Sequence, residues 1–333
     1  VGCIIEKNGE IIGFGNTSFG GRPHAEINAI KSAKNKVKNS NLYVSLEPCS
    51  HFGKTPPCID KIIKNKIKRV FFSINDPDKR SFNKSTNKLK KKGIIVSKGI
   101  LSKKSKDLYR SYIKSKKNIF PFVTSKIAIS KDFYLINKKS RWITNQFSRK
   151  RVHLMRAKHD CILTSSSTII KDNPYLTCRI EGLTNHSPTR IILDNHLKTS
   201  INSNVYKNVK KFKTIIFYNK TNKKKINQLK KIGINLHKIP LDKKSDLDLK
   251  QVLIKIKKLM FYRIFLETGL KLNQNFLFMN LIDDLIVFNS NKSLKRQGRD
   301  SIKKILIKYT KHKKKRIEKI NLFGETLTSF KLK

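Results

Sequence analysis

The sequence predicts a two-domain α/β protein. Three observations carry this. The chain has 333 residues, enough for two separate cores. Short apolar runs alternate with helical patterns along its length. The alternation then starts afresh at Pro121, after the polar stretch Lys116-Lys117-Asn118, which puts a first domain at 1–117 and a second at 118–333.

In the first series, residues 1–6 and 11–15 are apolar runs around Asn8-Gly9, a hairpin turn signal. Gly20-Gly21-Arg22-Pro23 is a loop. Residues 24–33 read as a helix, with Ala25, Ile27, Ala29 and Ile30 apolar. Residues 42–46 form a strand, 58–64 a helix, and 70–74 and 94–96 further strands, the last after a Lys-rich helix. Residues 101–115 read as one helix leading into the linker. In the second series, strands are expected at 122–129, 161–164, 190–193, 214–218, 264–267 and 285–289. Helices are expected at 147–157, 247–259 and 275–281. A G-x-G-x-x-G fingerprint is absent, so a Rossmann-type dinucleotide fold is not expected.

Hydrophobic residues make up 38% of the chain, and no apolar run approaches the ~18 residues of a membrane span. The five cysteines (3, 49, 58, 161, 178) are odd in number and scattered, a poor disulfide framework that fits a reducing, cytoplasmic setting. The chain opens at Val1 directly on a strand-like run, the reading of a chain whose N-terminal segment is missing; no signal peptide is visible. Net charge is +53, from 75 Lys and Arg against 22 Asp and Glu. Such a chain can meet phosphates, yet 14 of the basic residues are Arg and 61 are Lys. Lys, Asn, Ile and Phe are residues that AT-rich codons encode, and the lysines lie in short runs everywhere. Solvated faces are the expected reading, without a specific nucleic-acid or membrane partner. A homo-oligomer is expected.

His24-Ala25-Glu26 stands at a loop-to-helix junction, Pro48-Cys49 follows a strand, and Cys58 comes nine residues later behind Thr55-Pro56-Pro57. One imidazole and two thiolates supply three corners of a tetrahedral zinc site. Water at the fourth corner becomes acidic, and Glu26, two residues beyond His24, is placed to carry its proton to a departing amine. This is the ligand and acid–base set of zinc nucleobase deaminases, although the wide spacing of the cysteines departs from the C-x-x-C of nucleic-acid editing enzymes.

The segment from Glu47 to Cys58, read with His24-Ala25-Glu26, resembles the deaminase half of the bifunctional riboflavin-biosynthesis deaminase–reductases; Asn75-Asp76-Pro77 matches as well. The likeness continues through Lys126-Ile127-Ala128-Ile129-Ser130, Asp132, Ser140-Arg141-Trp142-Ile143-Thr144, Arg156-Ala157, Ile162 to Thr168, Asp172 to Arg179, Arg190 to Asp194 and Glu267-Thr268-Gly269. The resemblance implies a cytidine-deaminase-like α/β/α domain followed by a dihydrofolate-reductase-like α/β domain. The implied chemistry is hydrolysis of the 2-amino group of a phosphorylated diamino-pyrimidinone ribosylamine, then NADPH-dependent reduction of the ribosyl group to ribityl.

The resemblance also implies site residues. His51, Lys54 and Thr55 would contact the phosphoribosyl part of the deaminase substrate. Ser140, Arg156, Leu176, Arg179 and Glu267 would bind the reductase substrate. Lys126, Ala128, Trp142, Thr168, Asp172, Asn195 and Gly269 would bind NADPH. The two arginines suit a phosphate because a guanidinium meets its oxygens in a fork; two cations converging without an anion would repel, so a phosphate between them is expected. Residues 164–168 bring hydroxyls and N–H groups to a helix start, and Gly269 would admit close approach of the cofactor.

Several positions depart from the family pattern. The helix and Asn-Pro-rich turn that precede its first strand are absent. Residues 81–85 lack the glycines of its V-x-G-x-G substrate loop. Lys131 and Phe133 flank Asp132 in place of Leu and Gly, Leu270 replaces a Pro or small residue, and 291–294 departs from a P-K-(L/I)-(L/I)-G run. At this level two alternatives stay open: only one half is active, or the chain is a zinc-stabilised basic nucleic-acid-binding protein.

Overall fold

The structure, a computed structural model, describes residues 1–34 and 36–333. It divides into two compact units, Val1–Lys117 and Asn118–Lys333.

The first unit opens on a hairpin. β1 (Gly2–Lys7) and β2 (Glu10–Asn16) pair antiparallel around Asn8 and Gly9, both at positive φ, as a tight hairpin turn requires. β3 (Asn41–Val44) runs antiparallel to β1; β4 (Arg69–Phe72) and β5 (Ile95–Lys98) follow in parallel, giving the order β2-β1-β3-β4-β5. α1 (Ala25–Ser32), α2 (Cys58–Lys64) and α3 (Lys84–Lys90) bury Ala29, Ile30, Ile59, Ile62 and Leu89 in one core with Ile5, Leu42, Val70 and Phe72. β2 meets α1 with no room for side chains. A Cβ on Gly13 would lie 2.6 Å from the Ala29 carbonyl oxygen, and one on Gly15 would lie 2.4 Å from the Ala29 nitrogen. This approach fixes α1 on the sheet, and with it His24 and Glu26 at its start.

The helix expected over 101–115 is broken into α4 (Ser102–Leu108) and α5 (Arg110–Lys117). The break falls at Tyr109, whose hydroxyl pairs with Ser45 Oγ at 2.6 Å, while Tyr112 donates to the Asp76 carboxylate at 2.9 Å. Polar contacts of the two hydroxyls with loops beyond the strands, not one continuous apolar stripe, anchor this end of the unit.

The second unit contains β6 (Phe122–Ile129), β7 (Tyr134–Asn137), β8 (Cys161–Ser165), β9 (Thr189–Leu193), β10 (Thr214–Tyr218) and β11 (Asn235–Lys238). β12 (Arg263–Glu267), β13 (Asp284–Asn289), β14 (Gly298–Ser301), β15 (Lys314–Ile317) and β16 (Thr326–Lys331) follow. Nine strands form one sheet, β11-β10-β9-β8-β12-β6-β13-β16-β15; the first seven are parallel and the last two antiparallel, while β7 and β14 pair separately. The helices are α6 (Gln146–Ala157), α7 (Ser166–Asp172), α8 (Lys223–Lys231), α9 (Leu249–Lys258), α10 (Leu270–Phe278) and α11 (Lys303–Thr310). Both faces of the sheet are covered. Leu163 and Leu266 pack in one core with Val252, Ile256, Phe276 and Leu306, and Ile162 and Phe265 in another with Val152, Ile169 and Leu229. Strands buried on both faces read as unbroken apolar runs, which is why β6 and β10 coincide with their expected spans. The helix expected at 275–281 instead begins at Leu270. Its inward face runs through a buried polar residue, Asn273, which interrupts the apolar stripe.

β12 is inserted between β8 and β6. After β8 the chain continues to β9 on one side; after β12 it continues to β13, beyond β6 on the other. Connections therefore diverge at the carboxyl ends of β8 and β12, where an open α/β sheet has its ligand crevice. Among the described residues, no helix is long and apolar enough to cross a membrane.

Candidate active sites

In the first unit, His24 is the N-cap of α1, Cys58 is the first residue of α2, and Cys49 lies in the loop after β3. Their ligand atoms all lie within 4.8 Å of one another, and no other such trio of His, Cys, Asp or Glu occurs among the described residues. His24 Nδ1 is 3.2 Å from Cys58 Sγ and 3.5 Å from Cys49 Sγ, and the Cys58 amide donates to Cys49 Sγ at 3.2 Å. One ring nitrogen and two sulfurs converging on a point fit a zinc ion held by three protein ligands. The hydrogen bond from Cys58 holds the Cys49 thiol down, and that same bond, with burial, pushes Cys58 up. Glu26, in the first turn of α1, is 3% exposed, and burial pushes its carboxyl up, the condition for a carboxyl that holds a proton.

The loop beside this cluster is organised by Glu47, a residue that sequence reasoning noted only within a motif. It is buried and accepts hydrogen bonds from Ser85 Oγ (2.6 Å), Asn75 Nδ2 (3.1 Å), the Asp76 amide (3.1 Å) and the Asn83 amide (3.2 Å). Asn83 sits at φ 57, in the left-handed region that Asn tolerates better than most residues. The stretch 81–85 thus makes its turn without the family's glycines. His51 Nδ1 pairs with Ser81 Oγ at 2.9 Å, and Lys54 and Thr55 stand exposed between the cysteines. The sequence signal for Glu47 was an acid at the end of an apolar strand.

In the second unit, the crevice is lined by strand ends. Ser165 Oγ lies 3.2 Å from both Thr168 Oγ1 and Thr268 Oγ1, so hydroxyls bridge the ends of β8 and β12. Thr164 Oγ1 and Asn195 Oδ1 are buried without a partner. Gly269, the N-cap of α10, has ordinary extended backbone (φ −72°, ψ −178°), and a Cβ there would meet no atom within 4 Å. Nothing in the fold itself requires glycine at this position, and the open space there would admit a ligand. Lys126 and Ala128 lie along β6, and Asp172 ends α7, its carbonyl accepting from Arg141 at 2.5 Å. Trp142 is 52% exposed, with guanidinium groups 5.0 Å (Arg141) and 4.5 Å (Arg149) from its ring. Ser140 Oγ accepts from the Trp142 amide at 3.2 Å.

Arg156 already has partners within the protein. Its guanidinium is already clasped by Glu267, with Nε and Nη2 donating to the two carboxylate oxygens at 2.9 and 2.8 Å, and Nη1 donating to the Thr177 carbonyl at 2.9 Å. The fork of Arg156 thus faces a carboxylate of the protein itself. Burial would push Glu267 up, but Arg156, with Lys126 behind it, outweighs burial and holds it at about 2. Burial pushes Lys126 down, with Glu267 opposing; the two residues are register partners on adjacent strands. Arg179 is lowered by burial and by the positive charge of Arg156. Leu176 is buried at φ 55 with its side chain in the core, which leaves only its main chain for a ligand. A residue missed by sequence reasoning is His153, one turn before Arg156 on α6. Its Nδ1 accepts from the Arg179 amide at 3.1 Å, and burial, with Arg156 and Arg179, lowers it to about 4. The signal was its i, i+3 spacing to Arg156.

Residues 1–74 match the cytidine and deoxycytidylate deaminase zinc-binding region, and residues 121–321 match the RibD C-terminal domain. The riboflavin biosynthesis protein RibD of Aquifex aeolicus is 34% identical over 99% of this chain and 91% of its own length. The solved structure of Acinetobacter baumannii RibD is similar with a TM-score of 0.83 at 25% identity, over 99% of this chain and 91% of that one. A diaminohydroxyphosphoribosylaminopyrimidine deaminase/5-amino-6-(5-phosphoribosylamino)uracil reductase from Thermotoga maritima is similar with a TM-score of 0.79 at 28% identity and the same coverage. With a relative this similar along nearly its whole length, the chain belongs to the RibD family of riboflavin biosynthesis proteins.

Proposed function

We propose that the chain catalyses two consecutive steps of riboflavin biosynthesis. Unit 1–117 deaminates 2,5-diamino-6-(5-phosphoribosylamino)pyrimidin-4-one, and unit 118–333 reduces the ribosyl side chain of the product to ribityl. The observation that carries this reading is the convergence of His24 Nδ1, Cys49 Sγ and Cys58 Sγ beside the buried Glu26.

His24, Cys49 and Cys58 would hold a zinc ion (Zn2+), which would supply Lewis-acid activation of water near neutral pH. Glu26 would carry a proton from the attacking water to the departing amine, and burial, which raises its affinity for protons, favours holding that proton between the two transfers. His51, Lys54 and Thr55 face the phosphoribosyl group, with His51 steadied by Ser81. Glu47 keeps the adjoining loop closed.

In the second unit, Lys126, Ala128, Trp142, Thr168, Asp172, Asn195 and Gly269 bind NADPH, which supplies the hydride. Ser140, the main chain at Leu176, Arg179 and Glu267 bind the substrate. Lys126, Arg156 and Arg179 set against Glu267 and Asp172 leave a positive excess, which suits a phosphorylated substrate. Arg156 acts by fixing Glu267 rather than by taking the phosphate itself. Five free cysteines, all buried, support a reducing, cytoplasmic setting. The test is product analysis after incubation with the pyrimidine substrate. Ammonia is expected without NADPH, and the ribityl product only with it. Ammonia without any ribityl product would leave a deaminase alone.

A further inference from the structure

We propose that Asn273 is a positioning residue for reduction, holding the Glu267–Thr268–Gly269 turn in its ligand-ready form from behind the sheet. This rests on the reading of the second unit as the NADPH-dependent reductase. Asn273 is 2% exposed, on the inward face of α10 among Leu270, Phe276 and Leu277. An apolar side chain would fill that stripe without cost, whereas a buried amide is stable only when its hydrogen bonds are made. Here they are made to the turn. Nδ2 donates to the Thr268 carbonyl at 2.9 Å and the Gly269 carbonyl at 3.2 Å, and Oδ1 accepts from Ser125 Oγ at 2.5 Å.

The partners lie at or next to the strand ends that carry Lys126 and Glu267. Thr268 offers its hydroxyl to Ser165 and Thr168 on one side, while its carbonyl is held by Asn273 on the other. Gly269 is the position where a Cβ would meet open space. Ser125 is buried, precedes Lys126, and pairs in register with Leu266, next to Glu267. One amide therefore ties together the two strands that carry Lys126 and Glu267. The residue after Gly269 is Leu270, which leaves the helix start without the fixed φ that a proline provides at the first helical position. The Asn273 amide supplies the missing restraint.

The test uses the full chain and three measurements: NADPH dissociation constant by titration calorimetry, kcat and KM for reduction, and thermal midpoint. Asn273→Leu keeps the branched shape, adds bulk and removes all three bonds. It is expected to weaken NADPH binding about tenfold, the scale of one to two lost hydrogen bonds, and to leave ammonia release unchanged. Adding Leu270→Pro to that variant should restore most of the NADPH affinity, which a purely packing role would not allow. Ser125→Ala, the milder change, should weaken NADPH in the same direction about threefold. If Asn273→Leu or, should it not fold, Ser125→Ala binds NADPH as tightly as the wild type, the proposal is overturned; so it is if Leu270→Pro restores melting temperature but not affinity. Wild type that neither binds NADPH nor reduces the substrate overturns the reductase reading itself.

Discussion

The two sites solve the problem of buried charge in opposite ways. In the first unit, His24, Cys49 and Cys58 aim their donor atoms at one another, and the buried carboxyl beside them, Glu26, has sulfur and imidazole rather than arginine or lysine for neighbours. That cluster is completed by an incoming cation. In the second unit, Glu267 is gripped by Arg156, with Lys126 near it. That cluster is complete within the protein and presents a finished surface to its ligands. The first site thus depends on what it binds, whereas the second depends on its own ion pair.

The largest expected effect tests the first half of this contrast. Glu26→Gln should slow ammonia release by ~10²–10⁴-fold, the range for losing a general acid–base, with zinc content by elemental analysis and NADPH-dependent reduction both unchanged. Loss of zinc along with activity would make Glu26 a ligand and remove the contrast. Next in size, Arg156→Ala should lower the urea-unfolding stability of the second unit by about 1.5–3 kcal/mol, because the partly buried Glu267 carboxylate loses its charge-assisted hydrogen bonds and keeps only Lys126 near it. Glu26→Gln, which breaks no ion pair, should leave the stability of the first unit near wild type. A milder change is Arg179→Lys, which keeps the charge and loses the fork. It should weaken binding of the phosphorylated substrate by ~1–3 kcal/mol, seen as a raised KM, with NADPH affinity unaltered. If NADPH affinity falls instead, Arg179 serves the cofactor.

A further effect lies in pH. Glu267 is depressed from 4.5 to about 2, so its stabilising contribution is fully present above its unfolded value and is lost as pH falls through the folded one. The stability gap between wild type and Glu267→Gln, measured by urea unfolding, should therefore be widest above pH 5 and narrow toward pH 2. A gap that stays constant across that range would mean that Glu267 is not held as a carboxylate by Arg156.

The same contrast explains what could be read in the sequence. The zinc trio was legible because its residue types are chemically rare and sit in short motifs at the starts of α1 and α2. The Arg156–Glu267 pair was not, because its members are 111 positions apart and an arginine looks the same whether it meets phosphate or carboxylate. Central strands such as β6 and β10 announced themselves as apolar runs. The edge strands β11 (Asn-Leu-His-Lys) and β15 (Lys-Lys-Arg-Ile) carry no such run, since an edge strand meets solvent. α8 buries only Leu229 among its lysines, too little for a stripe. The start of α10 was hidden by Asn273, the one polar residue on its buried face.

The placement of β12 has a consequence for the order of assembly. β6 and β8 are separated by a gap that only residues 263–267 fill; Phe122 waits for Arg263, and Cys161 for Ile264. During synthesis the first unit is complete soon after Lys117 emerges, whereas the second has two unsatisfied inner edges until most of the chain exists. Contacts between partners so distant in sequence form slowly, and unpaired edges invite pairing with other chains meanwhile. The reductase crevice, built where β12 meets β8, is therefore among the last features to form, and the nascent chain is most exposed to aggregation between the emergence of β8 and that of β12.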